Sequence, residues 1–140
     1  MLAIGRIVLV PALVLCCFGL AARAQTDNAV RDVKAMPGKD VRVAAYANIR
    51  PDCTSGPLPS IRLLVAPAHG KVTVKRGTLK ATNMKECLAT EVPVLVALYR
   101  AADNFNGSDT FDLEISFSDG RKQVQHFQVH VSGGQGGQGI

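Results

Sequence analysis

Tryptophan is absent from this 140-residue chain, and only two tyrosines and five phenylalanines are present. A nucleic-acid surface built on stacking aromatics is therefore excluded. So is the Cys–Trp–Cys arrangement of antibody domains. Charge is also scarce, at 19% of residues, and the formal excess is +5. Two of the basic residues, Arg6 and Arg23, lie in an N-terminal leader, which leaves 14 basic against 11 acidic residues. That weak surplus does not make a nucleic-acid footprint. No G-x-S-x-G elbow and no C-x-x-C pair occurs, so neither a hydrolase nucleophile nor a dithiol redox centre is marked. Glycine, at 13 residues, is far below a collagen-like share. The length suits one domain and excludes a multidomain enzyme.

What is present begins with the leader. Arg6 precedes an apolar run from Ile7 to Leu20, interrupted by Pro11, and Ala22-Arg23-Ala24 has the small-x-small form of a cleavage site. Residues 1–24 are read as a secretory signal peptide, so the mature chain is expected to start at Gln25. The alternative of a membrane anchor is disfavoured, because the run falls short of the roughly 20 residues a span needs. A lipidated cysteine is disfavoured too, since Cys16 and Cys17 sit inside the apolar run. No second long apolar segment follows, and the mature chain is expected to be soluble, either periplasmic or secreted. Cleavage leaves two cysteines, Cys53 and Cys87. An even pair in an oxidising compartment favours a disulfide. Two thiolates alone would make an incomplete zinc site.

The mature chain reads as short strands. Residues 25–39 form a lead segment with at most a short strand, ending in the Pro37-Gly38 turn signal. A strand is expected around Val41–Ile49, followed by a loop over Arg50–Ser60 that is dense in turn formers. Ile61–Val65 is a short apolar run; Val72 and Val74 alternate with Lys71, Thr73 and Lys75 until Gly77, which is expected to break the strand. Thr78–Thr90 fits no period. Val92–Tyr99 is apolar, with Pro93 marking a strand start or an edge. Ala101–Asp109 is expected to be a loop. The clearest signal is a hairpin: Phe111, Leu113, Ile115 and Phe117 alternate with polar residues, Ser118-Asp119-Gly120-Arg121 turns, and Phe127, Val129 and Val131 alternate again. Val124 is out of phase, which points to a bulge or a register adjustment. The Gly/Gln tail over 133–140 is of low complexity. Six or seven strands without a confident helix predict an all-β sandwich over residues 40–132.

Three segments carry a resemblance. Pro67-Ala68-His69-Gly70-Lys71-Val72-Thr73-Val74, then Tyr99-Arg100 with Asn104-Phe105-Asn106-Gly107-Ser108-Asp109-Thr110-Phe111, then Ser118-Asp119-Gly120, follow one another at module spacing. In these the chain resembles the cadherin-like or immunoglobulin-like extracellular modules of bacteria, which occur in tandem. The resemblance covers about half the mature chain and implies a β-sandwich used for adhesion, spacing or binding, not catalysis. The single copy and the Cys53/Cys87 pair depart from that family. The whole chain also resembles small secreted bacterial proteins.

Candidate sites are few. His126 and His130 share a strand face but stand roughly 13 Å apart, too far for one metal. His69 before Gly70 reads as a turn residue. Asp103, Asn104, Asn106, Ser108 and Asp109 offer hard oxygen donors for calcium. Phe105 breaks the EF-hand pattern, and an Asn/Asp/Gly turn is the favoured reading of the composition, with calcium a weak candidate. Asp112 and Glu114, roughly 7 Å apart on one strand face, could mimic a glycosidase pair, although an exposed, screened pair is favoured. Lys71, Thr73 and Lys75 form a basic strand face, with Arg76, Lys80 and Lys85 following. It is a candidate for an anionic glycan, or it serves to protect an edge strand from pairing. Asn106-Gly107-Ser108 matches a glycosylation sequon, and the Gly-Gly-Gln tripeptides of the tail match low complexity better than any ribosomal motif. The expectation is a non-catalytic binding or structural module of the bacterial envelope. It is expected to use no cofactor, to take a protein or glycan partner, not to bind nucleic acid, and to meet the membrane only during export. A small secreted enzyme is the weakest reading.

Overall fold

A computed structural model describes residues 29–82, 85–88 and 90–133. The expected signal peptide and residues 134–140 of the expected tail lie outside the described residues. Seven strands follow in order: β1 (Val30–Ala35), β2 (Asp40–Tyr46), β3 (Ser60–Val65), β4 (Gly70–Lys80), β5 (Glu91–Ala101), β6 (Gly107–Ser116) and β7 (Lys122–Val131), with one short 3-10 turn at Lys85–Cys87. They form a four-stranded sheet, β1-β7-β6-β3, and a three-stranded sheet, β2-β5-β4. The fold is the expected all-β sandwich, and the parallel β1–β7 pair beside otherwise antiparallel ladders is consistent with an immunoglobulin-like domain.

The alternating hairpin builds the centre of the core. Phe111, Leu113 and Ile115 of β6 and Phe127, Val129 and Val131 of β7 are all buried, facing Ala97, Tyr99 and Ala101 of β5. The rings of Tyr99, Phe111 and Phe127 stack in series, at 5.8 and 4.7 Å between centroids. Each fully buried side chain of this size contributes about 1.5–3 kcal/mol over exposure, so the sheets are held mainly by this hairpin and β5.

Several local expectations are corrected. The segment 25–39 is more than a lead, because Val30–Ala35 pairs in parallel with β7 and Ala35 is buried. Gly77 does not break β4, which runs on in register with β5 to Lys80↔Glu91. Val124 sits in no bulge: the β6–β7 ladder is regular from Gly107↔Val131 to Ser116↔Lys122. The core position in phase with Phe127 is instead filled by Gln125, which the polar/apolar alternation hides. The register shifts fall between Arg42 and Ala44, and between Leu63 and Val65. Asp109 belongs to β6 rather than to the preceding loop. Pro93 lies within β5, paired with Thr78, beyond the last β2 pair Tyr46↔Leu95. Its missing N–H is tolerated because β5 has a neighbour on one side only at that end.

Candidate binding face

The regular β4–β5 register fixes which side chains share the outer face of the three-stranded sheet. Strand side chains alternate, and Ala97, Tyr99 and Ala101 point into the sandwich. Residues 92, 94, 96, 98 and 100 of β5 therefore point outward. Reading across the ladders gives rows: Lys71, Arg100 and Asp40; then Thr73, Leu98 and Arg42; then Lys75, Val96 and Ala45; then Gly77 and Val94; then Leu79 and Val92. Lys71, Thr73 and Lys75 thus share one face, as expected, and are joined by Arg42 and Arg100, which the linear sequence did not connect with them. Arg76 alternates to the other side of β4, and the Lys85 side chain lies outside the description.

Four cations meet one acid on this face. Asp40 approaches Arg100 at 3.8 Å, both exposed. Among the described residues, Lys71, Lys75 and Arg42 have no ion-pair partner. The opposite outer face, on the four-stranded sheet, is balanced. Arg62 binds Glu114 at 3.0 Å, with Lys122 at 3.9 Å from the same carboxylate. His126 Nδ1 lies 2.9 Å from Asp112 Oδ1, and His130 Nε2 lies 3.2 Å from Asp32 Oδ1. Asp112 and Glu114 are thus each held by a cross-strand partner, and the two histidines by different acids.

Val92 and Val94 are buried on this outer face, outside the main core cluster. They floor a concavity of about 240 Å³ also lined by Ala45, Ala47, Ile49 and Leu79, with Lys80, Ala81 and Thr82 at its margin. The β2–β3 and β4–β5 connections that flank it are joined by the Cys53–Cys87 disulfide, with Cα atoms 5.3 Å apart. The expected cystine is therefore present. Its half at Cys53 sits at φ 65°, a left-handed conformation costly for a non-glycine residue.

In the weak calcium candidate loop, Asp109 is tied into the fold. Asp109 is 4% exposed and accepts four hydrogen bonds. Ala68 N and Thr110 N donate to Oδ1 at 2.9 and 3.0 Å; His69 N and the Tyr99 hydroxyl donate to Oδ2 at 2.9 and 2.8 Å. Burial alone would raise its pKa, but Tyr99 and the three backbone donors outweigh it, and the carboxyl is held below its ordinary value. The same contact and burial push the Tyr99 hydroxyl up. Asn106 Oδ1 accepts from Gly133 N at 2.6 Å. Among the described residues, no group of three or more His, Cys, Asp or Glu side chains is placed to hold a metal. The His69 ring stacks on Phe105 with centroids 4.2 Å apart, and a Cβ at Gly70 would stand 2.5 Å from the Tyr99 ring.

Pro67–Val74, Tyr99 and Asn104–Phe111 therefore meet in one knot. The segments that carry the family resemblance are those that tie the β3–β4 turn to β5 and β6. Their chemistry serves the fold and leaves the ligand unspecified. A second internal polar pair, Tyr46 hydroxyl to Gln125 Oε1 at 2.6 Å, bridges the two sheets. Burial, opposed by Arg31, pushes the Tyr46 hydroxyl up to about 12. No protein-family model and no curated protein matches this sequence.

Proposed function

We propose that this chain is an exported, non-catalytic binding module of the bacterial cell envelope. Its ligand is an anionic glycan, which docks on the outer face of the three-stranded sheet. One observation supports this reading above the rest: the two outer faces differ in charge. The four-stranded face sets Asp32, Asp112 and Glu114 against Lys34, Arg62 and Lys122, and each of its acids has a cationic or histidine partner. The other presents Lys71, Lys75, Arg42 and Arg100 against Asp40 alone among the described residues. Exposed ion pairs contribute little to stability, but unpaired cations on a flat face raise the local concentration of a polyanion. The signal peptide and the disulfide both favour a periplasmic or secreted location.

The test is calorimetric titration with polygalacturonate oligomers, with neutral galactan oligomers as control. Binding is expected at 20 mM NaCl for the charged oligomer only, weakened at 300 mM and abolished in Lys71→Glu/Lys75→Glu. An Asp112→Asn/Glu114→Gln protein should bind as the parent does. Absence of binding, or binding indifferent to the lysine changes, overturns the reading.

A second reading, an adhesion module of the cadherin-like or immunoglobulin-like kind with an envelope protein as partner, draws on β3. Leu63, Leu64 and Val65 are 41–49% exposed on this edge strand, where Arg62 is already engaged by Glu114. An apolar edge of this kind accepts an added strand. Cross-linking from a photoreactive residue at position 64 in cells would yield one specific partner if this reading holds, and only background if it does not.

A further inference from the structure

We propose that the ligand of this face carries a short unbranched acyl chain, whose anionic head lies against Lys75 and Arg42 and whose tail lies over Gly77 into the Val92/Val94 concavity. This inference rests on the binding reading above and names the ligand's chemistry further. The face changes character along the strands. Its cationic rows end at Lys75, Val96 and Ala45, and the next rows, Gly77 with Val94 and Leu79 with Val92, are wholly apolar. Ala45 belongs both to the Lys75 row and to the lining of the concavity. Val92 and Val94 are themselves buried, so the hydrocarbon open to a tail is that of Ala45, Ala47, Ile49 and Leu79, which adjoins the charged rows, with about 7 Å between successive rows. At about 240 Å³ the concavity falls below the ordinary range of enclosed ligand sites, which suits part of one chain and not a bulky ring system.

Gly77 is the independent observation. A glycine inside a strand weakens it and marks a bulge, a bend or a close approach. None applies among the described residues: the register runs unbroken through Gly77, its φ is not positive, and a Cβ there would meet, of the described atoms, Val94 and Val96 Cγ2 at 3.8 Å, an ordinary contact. No described residue requires glycine at 77. A side chain there would cover the path from Lys75 to the concavity, and an acyl chain lying over β4 and β5 accounts for its absence. Charge complementarity selects the head, since the cations nearest the path, Lys75 and Arg42, have no acidic partner among the described residues.

The probes are hexanoate, octanoate and decanoate below their micelle concentrations, with 1-octanol as the neutral head. Calorimetry is expected to show affinity rising about fourfold for each methylene that becomes buried, then levelling once the concavity is filled. Octanol should bind more weakly than octanoate, and Lys75→Glu should remove that difference. Gly77→Val should weaken decanoate at least tenfold while keeping or raising the melting temperature, and it should leave polygalacturonate binding unchanged. Affinity independent of chain length, or untouched by Gly77→Val, overturns the inference. If that occurs while polygalacturonate still binds, the acyl chain falls and the binding reading stands; if neither probe binds, both fall.

Discussion

Replacing Asp109 by asparagine should cost about 2–4 kcal/mol, although it changes the side chain by a single atom. The carboxylate has four donors and, among the described residues, no ion-pair partner. Hydrogen bonds to a charged acceptor are worth about 1.5–3 kcal/mol each, and they are not additive. Two of the donors, Ala68 N and His69 N, lie in a turn that water can reach. The Tyr99 hydroxyl cannot be rescued in this way, because its residue is fully buried. Left facing an amide NH2, it carries a desolvation penalty of about 1–3 kcal/mol. Asp109→Ala adds a cavity and should cost about 3–5 kcal/mol. Tyr99→Phe, which leaves three donors in place, should cost about 1 kcal/mol. Urea unfolding followed by far-UV circular dichroism reads these values, with the midpoint falling by about 2 M for the asparagine variant. The pH dependence supplies a second readout. The folded pKa of Asp109 lies below its unfolded value. Its contribution is therefore complete above about pH 4 and is lost as pH falls through the lower folded value. Asp52 and Asp119, held low by Thr54 and Arg121 respectively, titrate in the same range. The comparison with Asp109→Asn isolates one share: the variant should lose less stability on acidification than the parent. A variant within 0.5 kcal/mol of the parent at pH 7, on the order of a neutral surface change, with an unchanged acid profile, would refute the reasoning.

Other outcomes follow from the same structure. Reducing Cys53–Cys87, which closes a 34-residue separation, should cost about 4 kcal/mol in the chain-entropy account, read as a fall in urea midpoint with added dithiothreitol. Gly70→Ala should destabilise by about 1–3 kcal/mol, because its methyl would press on the buried Tyr99 ring; thermal unfolding measures it. Both tyrosines have raised pKa values. Absorbance at 295 nm should show no phenolate at pH 10.5, and their share of stability, complete below about pH 10, should be lost as pH rises through the folded values. Leu64→Lys, at an exposed edge position, should leave stability within about 0.5 kcal/mol, read by thermal unfolding.

The sequence made legible whatever depends on period two. The β6–β7 hairpin, its turn and its core residues follow from alternation alone, and the disulfide from cysteine parity and compartment. What escaped depends on contacts between distant segments. Gln125, in phase with Phe127, is polar and is not marked as a core residue until Tyr46, 79 residues away, is seen to donate to it. Asp109 reads as a loop ligand because nothing local shows that Ala68, His69 and Tyr99 all turn their donors to it. Gly77 reads as a breaker because local propensity carries no knowledge of the β5 partner that continues the ladder. The candidate face was half legible: Lys71, Thr73 and Lys75 alternate visibly, whereas Arg42 and Arg100 join them only through the register of β2, β5 and β4. The Val92/Val94 concavity was hidden because Val92–Tyr99 reads as one apolar run, although its alternate residues serve opposite faces.

The central claim is that ligand meets the outer face of the three-stranded sheet. Amide chemical-shift mapping of the labelled protein with a polygalacturonate oligomer tests it most directly. The account predicts shifts confined to Arg42, Lys71, Thr73, Lys75, Val96, Leu98 and Arg100, diminishing as salt is raised. Shifts centred on β6 and β7, or none at all, would contradict it.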